Sequence, residues 1–192
     1  VHDTMVMVKN EDYWNGGVPE TAPDTVQIQE LSEASTTKML MSSGELDYVH
    51  GHQDSTTLAS LTAEEGIEAV EIPDTGLDYF MMNTKKAPTD DVHIRRAISY
   101  ATDYEQMKEI LGGAPDANGP VPTNLFGYVD NFEGFTYDLD KAKEEIALSQ
   151  YADNLADYPV QLDYIEGNGD TGKLVYLLAA SLEGLGFTVV IN

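Results

Sequence analysis

The sequence predicts an α/β fold in which a mixed β-sheet is flanked by helices. Two N-terminal segments, "TMVMVKN" and "TVQIQEL", alternate apolar and polar residues as half-buried strands do. A helical period of apolar residues begins near residue 94, and the last third of the chain reads strand, helix, strand. Strands alternating with helices are typical of the α/β class.

In the first third, the segment from 25 to 31 is predicted to be a strand with Val26 and Ile28 on one face. A helix follows in "SEASTTKMLMSSG", with Ser32 as its N-cap and Gly44 just past its end. A short strand is expected in "LDYVHG", residues 46 to 51.

The middle of the chain predicts a short helix in "DSTTLASL", then two strands over 67–73 and 77–84. The Asp-Thr-Gly turn between these strands favours a hairpin. Thr62 and Glu65 have the spacing of a capping box, which indicates a helix start. This region is therefore expected to form a sheet edge or meander.

From residue 90 onwards the helices are easier to predict. Apolar residues at i, i+3, i+4 and i+7 define one buried helical face, namely Ile94, Ala97, Ile98 and Ala101. Asp103 and Gln106 suit the N-cap and N3 positions of a second helix, and Asp138 suits the cap of a third. The irregular stretch 112–137 is long enough to be functional or packed on its own side chains. The final strand, helix and strand form a βαβ unit.

The composition excludes several classes of function. There are 34 acidic and 10 basic residues, a net charge of −24, so the surface repels nucleic acid. The chain has no cysteine, and therefore neither a disulfide framework nor a thiolate metal site. No apolar run reaches the roughly 18 residues of a membrane span, and the N-terminus lacks the order of a signal peptide. Either the protein is cytoplasmic or this chain lacks its export segment.

A glycine pattern, "GNGDTG" from Gly167 to Gly172, matches G-x-G-x-x-G between a strand and a helix. One interpretation is a dinucleotide-binding enzyme, although Asp170 would oppose a pyrophosphate. The other is a loop whose backbone N–H groups receive polar ligand groups. No nucleophile elbow, zinc-protease or P-loop lysine motif is present, so no catalytic residue is assigned.

His50 and His52 in "HGH", with Asp47 and Asp54 nearby, could share one side of a strand and bind a metal ion. Two imidazoles without a third spaced ligand are weak support, so no metal or other cofactor is predicted. On the strand 77–84, the period of two places Tyr79, Met81 and Asn83 on one face and Phe80 and Met82 on the other. One face should meet the core, which leaves the other as a candidate to line a ligand site.

Six segments stand out along the chain, in the order "VKNEDYW", "SSGELD", "YFMMNTKKAPTDDVHIRRAISYATD", "GPVP", "GFTYDLDKAKEEI" and "LAASLEGLGFTVVIN". Together they resemble family 5 solute-binding proteins of ABC transporters. The third segment holds both arginines of the chain, Arg95 and Arg96. Arg95 lies four residues after Asp91, where opposite charges on a helix attract, and an architectural role is expected for the pair.

The resemblance implies a periplasmic-binding-protein type II-like lobe over residues 1–192. The first lobe, the export signal with its lipid anchor and the C-terminal remainder would then lie outside this chain. It also implies a ligand site that includes Tyr79, Met81, Asn83, Asn168, Asp170 and Lys173.

The function implied is peptide capture outside the cytoplasmic membrane, by a periplasmic or cell-surface lipoprotein that delivers di- or oligopeptides to a permease. The expected partners are thus a peptide ligand and ABC transporter permease subunits, with no nucleic acid. Alternatives are a binder of nickel chelates or oligosaccharides, the nucleotide-dependent enzyme, and an acidic interaction domain without a small ligand.

Overall fold

A computed structural model describes residues 4–31, 33–49, 53–70, 75–117, 119–165 and 169–192. The chain divides into two compact units, Val1–Gly51 and His52–Asn192. Each unit is described by itself below. The expectation of one lobe over residues 1–192 stays a prediction.

The first unit contains an antiparallel strand pair and one helix. Strand β1 (Thr4–Val8) pairs with β2 (Thr25–Gln29), with Met5 opposite Ile28. Helix α1 (Ala34–Ser42) ends before Gly44, whose φ of 75° is readily adopted by glycine.

Two expectations for this unit differ from the structure. The α1 N-cap is Glu33, which makes no side-chain cap hydrogen bond, whereas the predicted cap Ser32 lies outside the described residues. Residues 46–49 form no strand, so that prediction is wrong for the part that the structure describes.

The second unit holds five helices and a parallel strand pair among its described residues. The helices are α2 (Ser55–Thr62), α3 (Val92–Ala101), α4 (Tyr104–Ile110), α5 (Leu139–Leu148) and α6 (Gly169–Gly184). A 3₁₀ turn, Leu155–Asp157, precedes β3 (Val160–Leu162), which pairs in parallel with β4 (Val189–Ile191). The predicted βαβ unit of β3, α6 and β4 is confirmed.

The core of this unit lies between α3, α5 and α6. All four apolar residues predicted on α3 are at most 4 % exposed, and they belong to one cluster with Leu178 and Leu182 of α6. Because a helix with one apolar stripe must bury it against other elements, the stripe fixes how α3 packs.

Aspartate side chains start four of the helices. Asp54, Asp91, Asp103 and Asp138 each accept backbone N–H groups in the first turn of α2, α3, α4 and α5. These N–H groups have no partner inside the helix, which is why a cap stabilises it. The predicted caps Asp103 and Asp138 are confirmed.

The predicted hairpin in the middle of the chain is not observed. Residues 67–70 and 77–84 form no strand, and residues 71–74 lie outside the described part of the chain. Thr62 is the last residue of α2, so the capping box that it would form with Glu65 is also wrong. Alternating side chains indicate an extended backbone, but a strand also requires a hydrogen-bonding partner.

The two arginines have separate structural contacts. Arg95 donates from Nη1 to the carbonyl oxygens of Thr89 and Asp90, at 2.9 and 3.0 Å, and not to the carboxylate of Asp91. Arg96 lies 3.8 Å from Glu145 of α5. The charge pair expected between Asp91 and Arg95 is therefore replaced by hydrogen bonds to the loop before α3.

The segment 112–137 has no helix or strand in its described part, as predicted. It packs partly on its own side chains, because Cδ2 of Phe132 lies only 2.8 Å from the place that a Cβ at Gly119 would take. Phe135 meets Tyr100 of α3 edge-on, with ring centroids 5.0 Å apart. Across the described residues, no helix has the length and apolar character to cross a bilayer.

Candidate functional site

The extended segment 77–84 separates its side chains into an inner and an outer set. Phe80 and Met82 pack against the core of the second unit, whereas Tyr79 and Met81 are 69 % and 82 % exposed. The predicted division into two faces is confirmed for these four residues. Tyr79 and Met81 are thus two large side chains left exposed on one face of this segment.

Asn83 ends this segment and forms the turn that follows it. Its Oδ1 accepts the backbone N–H of Lys85 at 2.9 Å, and its carbonyl oxygen accepts the hydroxyl of Thr89 at 2.8 Å. Asn83 is exposed. Whether it contacts a ligand stays a prediction, while its role in the turn is directly visible.

Asp170 and Lys173 form an ion pair in the first turn of α6. The Nζ of Lys173 donates to Oδ1 of Asp170 at 2.7 Å. Asp170 is 1 % exposed, whereas the Lys173 side chain is 48 % exposed. The ammonium group therefore lies at the surface, and the carboxylate that holds it lies inside.

Asp170 also connects α6 to α2. Its Oδ2 accepts the backbone N–H of Ser55 at 2.8 Å, and its Oδ1 lies 3.4 Å from the Ser55 hydroxyl. Ser55 is the first residue of α2, so one carboxylate serves the amino-terminal ends of two helices. Both ends favour negative charge.

These contacts determine the charge state of the pair. Burial raises the pKa of Asp170, but hydrogen bonds from Lys173 and the Ser55 N–H outweigh it, and the pKa is lowered from its ordinary value of 3.8. The hydrogen bond with Asp170 raises the pKa of Lys173 above 10.5. Both groups are thus charged at neutral pH.

Other predicted site residues lie outside the described part of the chain. Asn168, Gly167, His50 and His52 belong to this group, so the loop before α6 and the "HGH" metal site cannot be placed. Asp54, proposed as a neighbour of the histidines, instead caps α2 and accepts the Thr57 hydroxyl at 2.6 Å. Among the residues that the structure describes, no group of three His, Asp or Glu could hold a metal ion.

Two features of the second unit were not expected from the sequence. The contact between Ser55 and Asp170 joins residues 115 positions apart, and no local pattern signals it. A surface hollow of about 330 Å³ lies between α3, α5 and residues 133–135; it is lined by Arg96, Tyr100, Glu133, Gly134, Phe135 and Glu145. Next to this hollow, the Nδ1 of His93 lies 2.7 Å from Oε2 of Glu145.

Comparison with known proteins identifies the class. The family described as bacterial extracellular solute-binding proteins, family 5 Middle, matches residues 1–192. The probable D,D-dipeptide-binding periplasmic protein DdpA of Escherichia coli K12 is 28 % identical over 189 residues, which cover 96 % of this chain and 35 % of that protein. Heme-binding protein A of Haemophilus influenzae is 26 % identical over 182 residues, covering 93 % of this chain and 32 % of the relative.

Solved structures that superimpose on this chain are also periplasmic binding proteins. The dipeptide-binding protein of Pseudoalteromonas sp. SM9913, solved in complex with Met-Leu, superimposes with a TM-score of 0.82 at 21 % identity, covering 98 % of this chain and 37 % of that one. The predicted periplasmic-binding-protein type of α/β fold is confirmed. The 192-residue chain spans about a third of the length of the curated relatives it matches.

The α/β fold and the family match over residues 1–192 agree on the class of protein. The chain belongs to the bacterial extracellular solute-binding proteins, family 5. Members of this family bind solutes and are not enzymes.

Proposed function

We propose that the full-length protein is the substrate-binding component of an ABC importer that captures di- or oligopeptides. The observation that carries this proposal is the family match over all 192 residues. Relatives of 24–28 % identity are named as dipeptide-, oligopeptide-, D,D-dipeptide- and glutathione-binding proteins. All these ligands are peptides or peptide-like molecules.

The ligand site in this proposal includes the six residues Tyr79, Met81, Asn83, Asn168, Asp170 and Lys173. The exposure of Tyr79 and Met81 supports it, because a tyrosine ring and a flexible methionine can adapt to peptide side chains of different shape. The Lys173 side chain, which is 48 % exposed, supports it because its ammonium group can donate to peptide oxygens.

The remaining expectations complete the proposal. The protein works outside the cytoplasmic membrane, as a periplasmic protein or a cell-surface lipoprotein whose anchor lies outside this chain. It transfers the peptide unaltered to the permease, and neither catalysis nor a cofactor takes part.

Heme is the second candidate ligand, because one relative is named as a heme-binding protein. Peptide is preferred because more of the named relatives bind peptides. The nucleotide-dependent enzyme has no support beyond its glycine pattern.

The test is thermal unfolding and calorimetry of the full-length protein with dipeptides, tetrapeptides, hemin and NAD. A ligand that binds only the folded state raises the melting temperature. We expect one or more peptides to do so at one site per molecule. A response to hemin or NAD alone, with none to peptides, contradicts peptide capture.

A matched pair of variants tests the site itself. Met81→Ser removes an exposed apolar side chain from the proposed site, and Leu148→Ser removes one that is 66 % exposed at the end of α5. Both variants should keep the melting temperature of the unliganded protein. Only Met81→Ser should weaken peptide binding, and equal affinities in both would remove Met81 from the site.

A further inference from the structure

The first turn of α6 contains a charged side chain with no access to solvent. Asp170 is 1 % exposed, and the groups that reach its carboxylate include the Lys173 ammonium at 2.7 Å and the Ser55 backbone N–H at 2.8 Å. Burying an ion is costly unless it is paired and hydrogen-bonded. A carboxylate held in this way is poorly placed to receive a ligand, because a ligand would have to displace these contacts.

The same contacts restrict Lys173. A lysine side chain has considerable rotamer freedom in water, and much of this freedom is lost when its ammonium group is fixed. Lys173 has three N–H donors, and Asp170 takes one of them at i,i+3 spacing on α6. The ammonium is thus pointed in one direction while its side chain remains 48 % exposed.

We propose that Asp170 is a positioning residue, which touches no ligand atom but fixes the Lys173 ammonium in the direction in which it meets the ligand. This inference rests on the proposed function and gives a specific role to one residue of that site. The contact of Asp170 with Ser55 has a different task, since it anchors the start of α2 to the start of α6.

The two contacts can be separated by substitution. Asp170→Asn keeps an oxygen that accepts the Ser55 N–H but removes the charge that holds Lys173. Ser55→Pro removes that N–H at the first position of α2, where proline is well tolerated. Asp54 before it has φ −63° and ψ 152°, which a following proline permits.

The experiment is a double-mutant cycle on peptide affinity in the full-length protein, with Asp170→Asn, Lys173→Met and both together. We expect each single variant to weaken the peptide Kd about tenfold, which corresponds to about 1.4 kcal/mol. In the Lys173→Met background, Asp170→Asn should change the Kd by less than about twofold, because the group it positions is gone. Ser55→Pro should lower the melting temperature and leave the Kd within about twofold of the wild type.

The matched control is Asp138→Asn. Asp138 also starts a helix and has a lysine at i,i+3, with Lys141 Nζ 3.7 Å from its carboxylate, but it belongs to α5. It should affect the melting temperature without changing the peptide Kd.

The possible results separate the two proposals. If the wild type binds peptide but the two substitutions act independently, or Ser55→Pro weakens the Kd as much as Asp170→Asn, Asp170 acts through the fold and the inference is wrong. The inference also fails if either single variant keeps the wild-type Kd. If the wild type binds no peptide at all, the proposed function is wrong, and the inference that rests on it is wrong as well.

Discussion

The carboxylate of Asp91 joins the start of α3 to the end of α5 through Ser149. Its Oδ2 accepts the Ser149 hydroxyl at 2.8 Å and the Gln150 N–H at 3.0 Å, while its Oδ1 caps α3 by accepting the His93 N–H at 2.8 Å. Burial raises the pKa of Asp91, but these hydrogen bonds outweigh it and the pKa is lowered. One side chain thus stabilises a helix start and a tertiary contact together.

Asp91→Ala should therefore destabilise the protein more than the loss of an ordinary cap. We expect a loss of about 2.5–4 kcal/mol, since a cap contributes about 1 kcal/mol and hydrogen bonds to a charged group about 1.5–3 kcal/mol. Urea unfolding measures it. The control is Asp103→Ala, which removes the α4 cap alone and should cost about 1 kcal/mol. Equal losses in the two variants would show that the Ser149 contact contributes nothing.

Acid should destabilise the protein through several aspartates. The pKa values of Asp54, Asp91, Asp138 and Asp170 are all lowered from 3.8 in the folded state. A carboxyl with a lowered folded pKa contributes stability above its unfolded pKa and loses it as the pH falls through its folded pKa. The melting temperature should consequently decrease as the pH is lowered below about 4.

Asp170→Asn provides the specific test of this pH dependence. At pH 7 it should lower the free energy of unfolding by about 1.5–3 kcal/mol, the value of hydrogen bonds to a charged group. The difference in unfolding free energy between the variant and the wild type should become smaller below pH 3.8. Asp153→Asn controls for the loss of one exposed charge. If the difference in unfolding free energy between Asp170→Asn and the wild type stays constant from pH 7 to pH 2, the lowered pKa of Asp170 does not contribute to stability.

Tyr151 should retain its proton under alkaline conditions in which ordinary tyrosines lose theirs. Its hydroxyl donates to both oxygens of Asp90, at 2.8 and 3.0 Å, and this hydrogen bond, with burial, raises the pKa of Tyr151 to about 12. The folded state keeps the proton after the unfolded state has lost it, so this contribution to stability declines above pH 10.

Tyrosinate absorbance can detect this. Subtracting the absorbance titration of Tyr151→Phe from that of the wild type isolates the contribution of Tyr151. This difference should show no ionisation near pH 10, while Asp90→Asn should move the ionisation of Tyr151 towards pH 10. If Tyr151→Phe instead loses tyrosinate absorbance near pH 10 relative to the wild type, the prediction is wrong.

Gly119→Ala should destabilise the 112–137 segment. Gly119 has φ 139°, and an added Cβ would lie 2.8 Å from Cδ2 of Phe132, closer than such atoms approach. Backbone strain of this kind costs about 1–3 kcal/mol. Limited proteolysis of the segment should therefore accelerate.

Two glycines of the same segment provide the controls. Gly127→Ala introduces backbone strain, because φ is 93°, but the added Cβ has no neighbour within 4 Å. Gly134→Ala introduces neither backbone strain nor a close contact of the added Cβ. Proteolysis rates should rank Gly119→Ala fastest and Gly134→Ala close to the wild type. The reverse order would show that Phe132 does not pack on Gly119.

Local features of the fold could be predicted from the sequence because their causes are local. The caps Asp103 and Asp138 bond to N–H groups two or three residues away, and the stripe from Ile94 to Ala101 repeats within three turns. The separation of Tyr79 and Met81 from Phe80 and Met82 follows equally from the period of two, whereas that period does not say which face is exposed.

Features that depend on distant residues could not be predicted. An extended segment becomes a strand only beside a partner, and residues 77–84 have none in the described ranges, although their alternation is clear. The resemblance predicts that Asp170 belongs to the ligand site, but its carboxylate accepts the backbone N–H of Ser55, 115 positions away in the chain. Arg95 likewise bonds to two carbonyl oxygens, whereas spacing on a helix suggested Asp91.

The inward packing of Phe80 and Met82 has a consequence for how such a protein can diversify. Because the backbone of this segment is held from within, replacements at Tyr79 and Met81 need not disturb folding. In the ligand site proposed above, new cargo preferences could therefore arise at these two positions in single mutational steps, without compensating changes elsewhere.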